Sequence, residues 1–480
     1  MNLPADIKKT FFERTQLELS DLQKVMSSLV SRDQLLSDIY LDHVQAESWT
    51  VEDGAFKHGQ NEQGYGAGLR IVKGEQIGFS TTHDLSCQSL IDHAKAARVF
   101  LGNAQESSKQ VLQIRQPLSL YQPQAPDAFW PTEDKKNFLL SLDGYIRALD
   151  ERIRQVTLNL SCSFKQVLIY RDDGLLSWDS RPMIRLDISI LIHHQNKIHS
   201  GQAGCGGRYT FHQWQQSHDS YALAKEALRL ALLDIESQPA PAGVMPVVLG
   251  QGWPGVLIHE AIGHGIEADF NRKKTSLYTD KIGSAVASSL CTIIDDPTIP
   301  FARGSISIDD EGEIPQSTIL IENGILKNYL YDRQNAALMK TISNGHGRRE
   351  SSHHVPMPRM TNTFLAAGTS TLEEMISSID DGVFAANFGG GSVDITSGQF
   401  VFSANEAYKI KKGKIIYPIK GATLTGIGPQ VLKQISMVGK DMKLDPGVGV
   451  CGKNGQSVPV CVGQPSVKID HIVVGGTLRD

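Results

Sequence analysis

Long apolar runs are missing from this chain of 480 residues: none approaches the roughly 18 residues that a membrane span needs. The opening MNLPADIKKTFFER carries no apolar core of signal-peptide length. A soluble, cytoplasmic protein with no membrane partner is therefore expected. Cysteine is scarce and dispersed. The six present (Cys87, Cys162, Cys205, Cys291, Cys451 and Cys461) form no CxxC pair, which argues against a disulfide framework and for reduced thiols. Concentrated positive charge is missing too. Net charge is −5, with Lys and Arg scattered, so nucleic acid finds no basic face. What remains is an ordinary globular composition, 40% hydrophobic and 21% charged. At this length one core does not suffice, and two or three domains are expected.

Apolar spacing changes along the chain. Residues 5 to 38 read as helical, with Phe11, Phe12, Leu22, Met26 and Leu29 at three- and four-residue steps. GYGAGLRIVKGEQIGFST then predicts strands joined near Lys73-Gly74. A helix is expected from about Cys87 to Leu101, and another from Thr132, as its cap, to Leu149. The passage from Val156 to His194 alternates apolar and polar residues around Asp173-Gly174, a hairpin-turn dipeptide. An amphipathic helix is predicted from about Gln213 to Ile235. It stops at SQPAPAG, residues 237 to 243, where prolines set the principal boundary. Beyond it strands dominate, with hairpins at Asn323-Gly324 and Lys412-Gly413. Ser370 and Glu373 read as a capping box before one helix, LEEMISSI.

The segment HEAIGH carries the chemistry. It follows an apolar strand and a Gly-Trp-Pro-Gly turn, and places His259, Glu260 and His264 close together. The zinc-peptidase signature H-E-x-x-H spaces its histidines by four, on one helix face. Here the step is five. At about 100° per residue, five steps swing the second side chain roughly 140° from the first. The bland account is two helix histidines, one buried and one exposed. The alternative is a one-residue bulge that brings both imidazoles to one face, a distortion that favours functional sites. Gly263 and Gly265 would lower its cost. Glu260 stands where a metal-water peptidase needs its general base. A catalytic zinc takes a third protein ligand. Spacing alone leaves Glu267, Asp269, His353 and His354 all open.

HEAIGHGIEADF, RRESSHHVPMPRMTNTF and GVGVCGKNGQSVPVCVGQPS together resemble the TldD/PmbA family of bacterial and archaeal peptidases. The resemblance implies a metal held by His259, His264 and Cys451, with Glu260 as catalytic base. Zinc suits such a set, and iron can also occupy it. It implies the metal-bearing side of the family, paired in a heterodimer with a PmbA/TldE-type subunit. It also implies unfolded polypeptides or leader peptides as substrates. Cys461, in VPVCVG, reads as a strand interior and hence structural.

The expected fold class is α+β. A mixed N-terminal region, 1–236, divides into about 35–102 and 130–236. A β-rich region, 244–480, carries the H-E-x-x-x-H helix as the catalytic part. Gly389-Gly390-Gly391-Ser392 reads as a loop or close packing more readily than an anion cradle. Arg348, Arg349, His353, His354 and Arg359 either line the cleft, where they could stabilise an oxyanion, or form a solvated polar loop. Two rivals to a peptidase stand beside it: a non-enzymatic regulator or scaffold of the DNA gyrase modulator kind, and a metal hydrolase of non-peptide substrates.

Overall fold

Alternating side chains along Ile153–Arg171 and Leu175–His194 build a long antiparallel hairpin, which turns where Gly174 takes φ +83°. A computed structural model of the chain describes every residue except 1–2, 32, 100, 102–110, 129 and 477–480. The hairpin lies inside a seven-stranded sheet. Gln76–Thr82, Ala55–Lys73 and Leu36–Glu52 extend it on one side, and Gln113–Arg115 and Lys197–Gly207 both pair with Leu175–His194 on the other. Its longest strands run 17 to 20 residues, far beyond the usual five or six, so one sheet supports two apolar cores. Helices Leu19–Leu29 and Cys87–Arg98 cover Leu41, Leu69 and Leu176. Helices Thr132–Arg147 and Ser220–Glu236 cover Leu158, Leu160 and Leu186 at the other end.

The second half is built on closure. Gly243–Leu249, Asp381–Asp394, Gln399–Lys411, Thr423–Ile427 and Val467–Gly475 pair in a ring, which leaves none of the five without a neighbour on either side. Val247, Leu249, Phe388, Phe400, Phe402 and Leu424 belong to its apolar core. A third sheet runs Ile325–Leu326, Thr318–Glu322, Ile293–Asp295, Asn362–Leu365, Cys461–Gln464 and Lys443–Leu444. The architecture is mixed α and β, as the spacing predicts. No described helix is long and apolar enough to cross a membrane.

Several local expectations are corrected. The helix expected over 5–38 is in fact three short pieces, and the chain is already a strand from Leu36. Leu36–His43 is buried throughout, so it shows no alternation to betray a strand. The helix expected over 213–235 breaks at His218, because Thr210 and Asp219 each cap a separate helix. Thr132 is the first helical residue, and Pro131 is the cap position. The capping box uses Thr371 and Glu374, one residue on from the expected pair. Ser370 is held instead by backbone bonds to Val438 and Lys440.

Buried charge joins the first sheet to the second half. Arg70 bridges Asp38 and Glu311, Arg349 reaches Asp38 at 3.0 Å, and Arg181 reaches Asp310 at 2.6 Å. Burial opposes ionisation of Asp310, yet Arg181, Lys165 and the Arg349 N–H hold its carboxyl down to about 2. A depressed carboxylate adds stability above its unfolded value and loses it as pH falls. From the ordinary value near 4 to about 2, the contribution is roughly 2 kcal/mol. Unfolding midpoints measured between pH 5 and pH 2 should therefore fall less steeply in Asp310→Asn than in the parent. Equal slopes would remove Asp310 from the acid response.

Candidate metal centre

The motif helix starts from the ring. Gly243–Leu249 leads into a turn at Gly252, φ +80°, then the 3-10 turn Trp253–Gly255. Trp253 Nε1 donates to Phe388 O at 2.9 Å, which ties this turn to the ring strand. Gly255 lies so close to strand Cys461–Gln464 that a Cβ there would meet Gly463 backbone at 2.6 Å. One α-turn, Val256–Ile258, gives way to a π-turn over His259–Gly263. The His264 N–H bonds to His259 O, a five-residue step, so histidines five apart stack on one face. Their ring centroids lie 5.1 Å apart at 87°. The two flanking glycines act differently from the expectation. Gly263 has ordinary helical angles, φ −51° and ψ −55°. Its small size admits Met360, whose sulfur would sit 1.9 Å from an added Cβ. Gly265 likewise admits the Tyr278 ring, whose hydroxyl donates to Ala261 O at 2.7 Å.

Cys451 arrives from a separate hairpin. Val450–Lys453 and Gln456–Pro459 turn through Asn454 and Gly455, both at positive φ. One ligand-type atom each from His259, His264 and Cys451 falls within 4.8 Å of the others, and all three residues are buried. Cys451 Sγ lies 3.5 Å from His264 Nε2. His264 Nδ1 faces Glu267 Oε2 at 3.2 Å, which fixes the ring and leaves Nε2 for the cluster. Glu267 is fully buried and Lys453 Nζ, 3.0 Å away, compensates its charge; Lys453 also reaches Asp269 at 2.8 Å. Arg359 Nη2 donates to Cys451 O at 2.6 Å and so anchors the cysteine backbone.

The electrostatics suit a cation. Burial opposes ionisation of Cys451, but His259 and His264 hold its thiol well below the usual range. Burial also works against the Glu267 carboxylate, yet Lys453 and His264 bring it down to about 2. His259 Nδ1 is buried without a protein hydrogen-bond partner. A thiolate and two imidazoles, one of them with its Nδ1 left without a partner, match the donors that zinc takes, so these residues fit a metal ion. Glu260, beside them, keeps partial solvent exposure and makes no hydrogen bond or ion pair among the described residues. Burial raises its pKa, against the pull of both histidines.

Other candidates fall elsewhere. Glu267 and Asp269 are bound to His264 and Lys453, His353 packs at a tilt against His83, and His354 bonds Ser351. None joins the cluster. Cys461 lies in a strand of the third sheet, where burial pushes its thiol up. Gly389 to Ser392 lie within strand Asp381–Asp394. Arg348, Arg349 and Arg359 are buried rather than a solvated loop. Sequence reasoning missed the supporting roles of Glu267 and Lys453. Lys453 could have been found, since it sits two residues from Cys451 in the same hairpin motif. Glu267→Gln should lower metal affinity about 10–100-fold, read by chelator competition, because such outer partners typically contribute that much. Unchanged affinity would reduce Glu267 to a packing role.

Models of the PmbA/TldA metallopeptidases match the chain in three parts: domain 1 over 37–98, the central domain over 126–234 and the C-terminal domain over 242–476. A Haemophilus influenzae protein named metalloprotease TldD homolog is 46% identical, covering 98% of this chain and 99% of that protein. A Methanocaldococcus jannaschii metalloprotease is 32% identical over 88% of this chain and 93% of its own. Among solved structures, TldE from Thermococcus kodakarensis aligns with a TM-score of 0.73 at 18% identity, covering 95% of this chain and 100% of that one. A Thermotoga maritima structure, described as a candidate modulator of a DNA gyrase, reaches 0.76 at 20% identity, over 95% of this chain and 99% of that one. At these identities the structural likeness establishes the fold alone.

Proposed function

This chain belongs to the PmbA/TldD metallopeptidase family, on its TldD side, and from that premise we propose that it hydrolyses peptide bonds of unfolded or extended polypeptides at this centre. His259, His264 and Cys451 would hold the metal, with zinc the ion their chemistry suits and iron the alternative. A bound ion of this kind lowers the pKa of water and polarises a carbonyl. Glu260 accepts the proton of the attacking water and returns it to the departing amine. Glu267 keeps the His264 proton on Nδ1, and Lys453 keeps Glu267 charged. The observation that carries the reading is the convergence of three donors within 4.8 Å, from two separate segments, beside a carboxylate with no hydrogen-bond or ion-pair partner among the described residues.

Substrate enters as backbone. Strand Val450–Lys453 pairs with Gln456–Pro459 alone among the described residues, so an edge remains beside Cys451. An extended peptide adding to that edge would be recognised with little demand on its side chains. Folded protein would not present such a strand, which favours unstructured polypeptides and leader peptides. A PmbA/TldE-type subunit is the proposed partner in a heterodimer, a reading supported by family resemblance.

The test mixes metal-loaded protein, with and without a PmbA-type subunit, with an unstructured peptide and follows new termini by mass spectrometry. Cleavage is expected with the partner present. Intact peptide in both mixtures, with metal bound, would favour the regulatory scaffold or the non-peptide hydrolase.

A further inference from the structure

A second feature sits behind the hairpin that carries Cys451. A cavity of about 240 Å³ opens between the first sheet and strand Gln456–Pro459. Its charge is lopsided. Lys165, Arg181, Arg208, Arg303, Arg348 and Arg349 line it, against the carboxylates of Asp310 and Glu350. Three of these cations have carboxylate neighbours: Arg181 pairs with Asp179 and Asp310, Arg349 with Asp38, and Lys165 lies 3.7 Å from Asp42. Arg208, Arg303 and Arg348 have no ion pair among the described residues. Glu350, exposed at the cavity rim, accepts the Ser457 N–H at 2.7 Å and forms no ion pair with them among the described residues.

The unpaired arginines keep donors in reserve. Arg208 is 3% exposed, and its Nε is buried with no partner. Its contacts are a 3.4 Å bond to Pro182 O and the face of Tyr121 at 5.2 Å. Arg303 donates from Nε to Gly449 O and leaves Nη1 buried without a partner. Arg348 is committed to the carbonyls of Met360 and Pro459. Burial and neighbouring arginines pull Arg348 down to about 9 and Arg303 down to about 10. A guanidinium does not shed its proton in practice, so the site stays cationic, with Asp179, Asp310 and Asp445 acting on these arginines only from beyond ion-pair distance. Arginine forks match planar oxyanions in geometry as well as charge.

Position ties the cavity to the metal centre. Ser457, Val458 and Pro459 line it, and Val458 pairs in register with Cys451. Paired strands lie only about 4.8 Å apart. We propose that this cavity receives a carboxylate of the peptide substrate, either the C-terminal group or an acidic side chain, with Arg208 and Arg303 as its recognising donors. The identity of the ligand rests on the peptidase reading; the anion site itself does not.

Two measurements test the site, both on the full chain loaded with metal. The first uses Glu260→Gln, to hold substrate without turnover, and one unstructured peptide in four forms. These are the parent, its C-terminal amide, its Glu→Gln version and the doubly neutral form. One neutralisation should weaken binding by roughly ten- to a hundredfold, the range for a lost charged hydrogen bond, and its identity names the source. Adding Arg208→Met or Arg303→Gln should abolish that discrimination. The second measurement is thermal melting with glutarate and with inorganic phosphate. Glutarate should raise the midpoint of the parent but not of Arg208→Met. Without ligand, Arg208→Met should melt no lower than the parent, because it removes a buried charge that has no ion-pair partner among the described residues. A purely structural arginine would give the opposite.

Equal binding of all four peptides would overturn the proposal. So would protection by phosphate alone, or lower melting of both variants with discrimination intact. Glutarate protection without any peptide binding would overturn the peptide as the source and count against the peptidase reading, while leaving an anion site. Tight peptide binding without discrimination or glutarate protection would sink the site and leave the peptidase reading standing.

Discussion

Glu260→Gln lowers kcat for peptide cleavage by about 10²–10⁴-fold, the usual worth of a positioned general base, and leaves metal content unchanged. The expectation follows from geometry. Glu260 neighbours His259 on the π-turn, keeps contact with solvent, and has no competing hydrogen-bond or ion-pair partner among the described residues. Its carboxylate is thus free to take a proton from water. Glutamine keeps the size and removes the basicity. The readout is kcat and KM at matched metal occupancy. A variant that retains most of its kcat would assign the proton transfer to another group.

Cys451→Ala strips the metal from the protein. The loss should exceed the roughly 10–100-fold that an outer partner contributes, because a donor atom itself is removed. The two histidines would remain, but the buried pair would lose the thiolate that now faces His264 Nε2 at 3.5 Å. Cys461→Ala is the matched control. Cys461 is equally buried, ten residues on, and pairs within the third sheet. Metal analysis after dialysis should find the ion retained there and lost in Cys451→Ala. Retention in both would place the third ligand outside the cluster.

The π-turn was legible as one of two readings, because a five-residue histidine step brings both rings to one face only if the helix takes one extra residue in that turn. The reason for its glycines was not. Gly263 and Gly265 leave room for Met360 and Tyr278, residues distant in sequence whose approach no local pattern records. The hairpins at Asp173-Gly174, Asn323-Gly324 and Lys412-Gly413 were legible because positive φ restricts the residues that fit. Leu36–His43 was not, since a strand buried along its length loses the alternation that marks strands. Cys451 came from resemblance rather than spacing, because it lies 187 residues from His264. The ring of five strands was equally hidden, since closure is a property of pairing order and leaves no periodic trace.

X-ray absorption at the metal edge of the loaded protein tests the central claim most directly. The spectrum should require one sulfur at about 2.3 Å and imidazole nitrogens at about 2.0–2.1 Å, with the sulfur gone in Cys451→Ala. A shell of nitrogen and oxygen alone, or a sulfur that survives Cys451→Ala and vanishes in Cys461→Ala, would contradict the assignment of His259, His264 and Cys451.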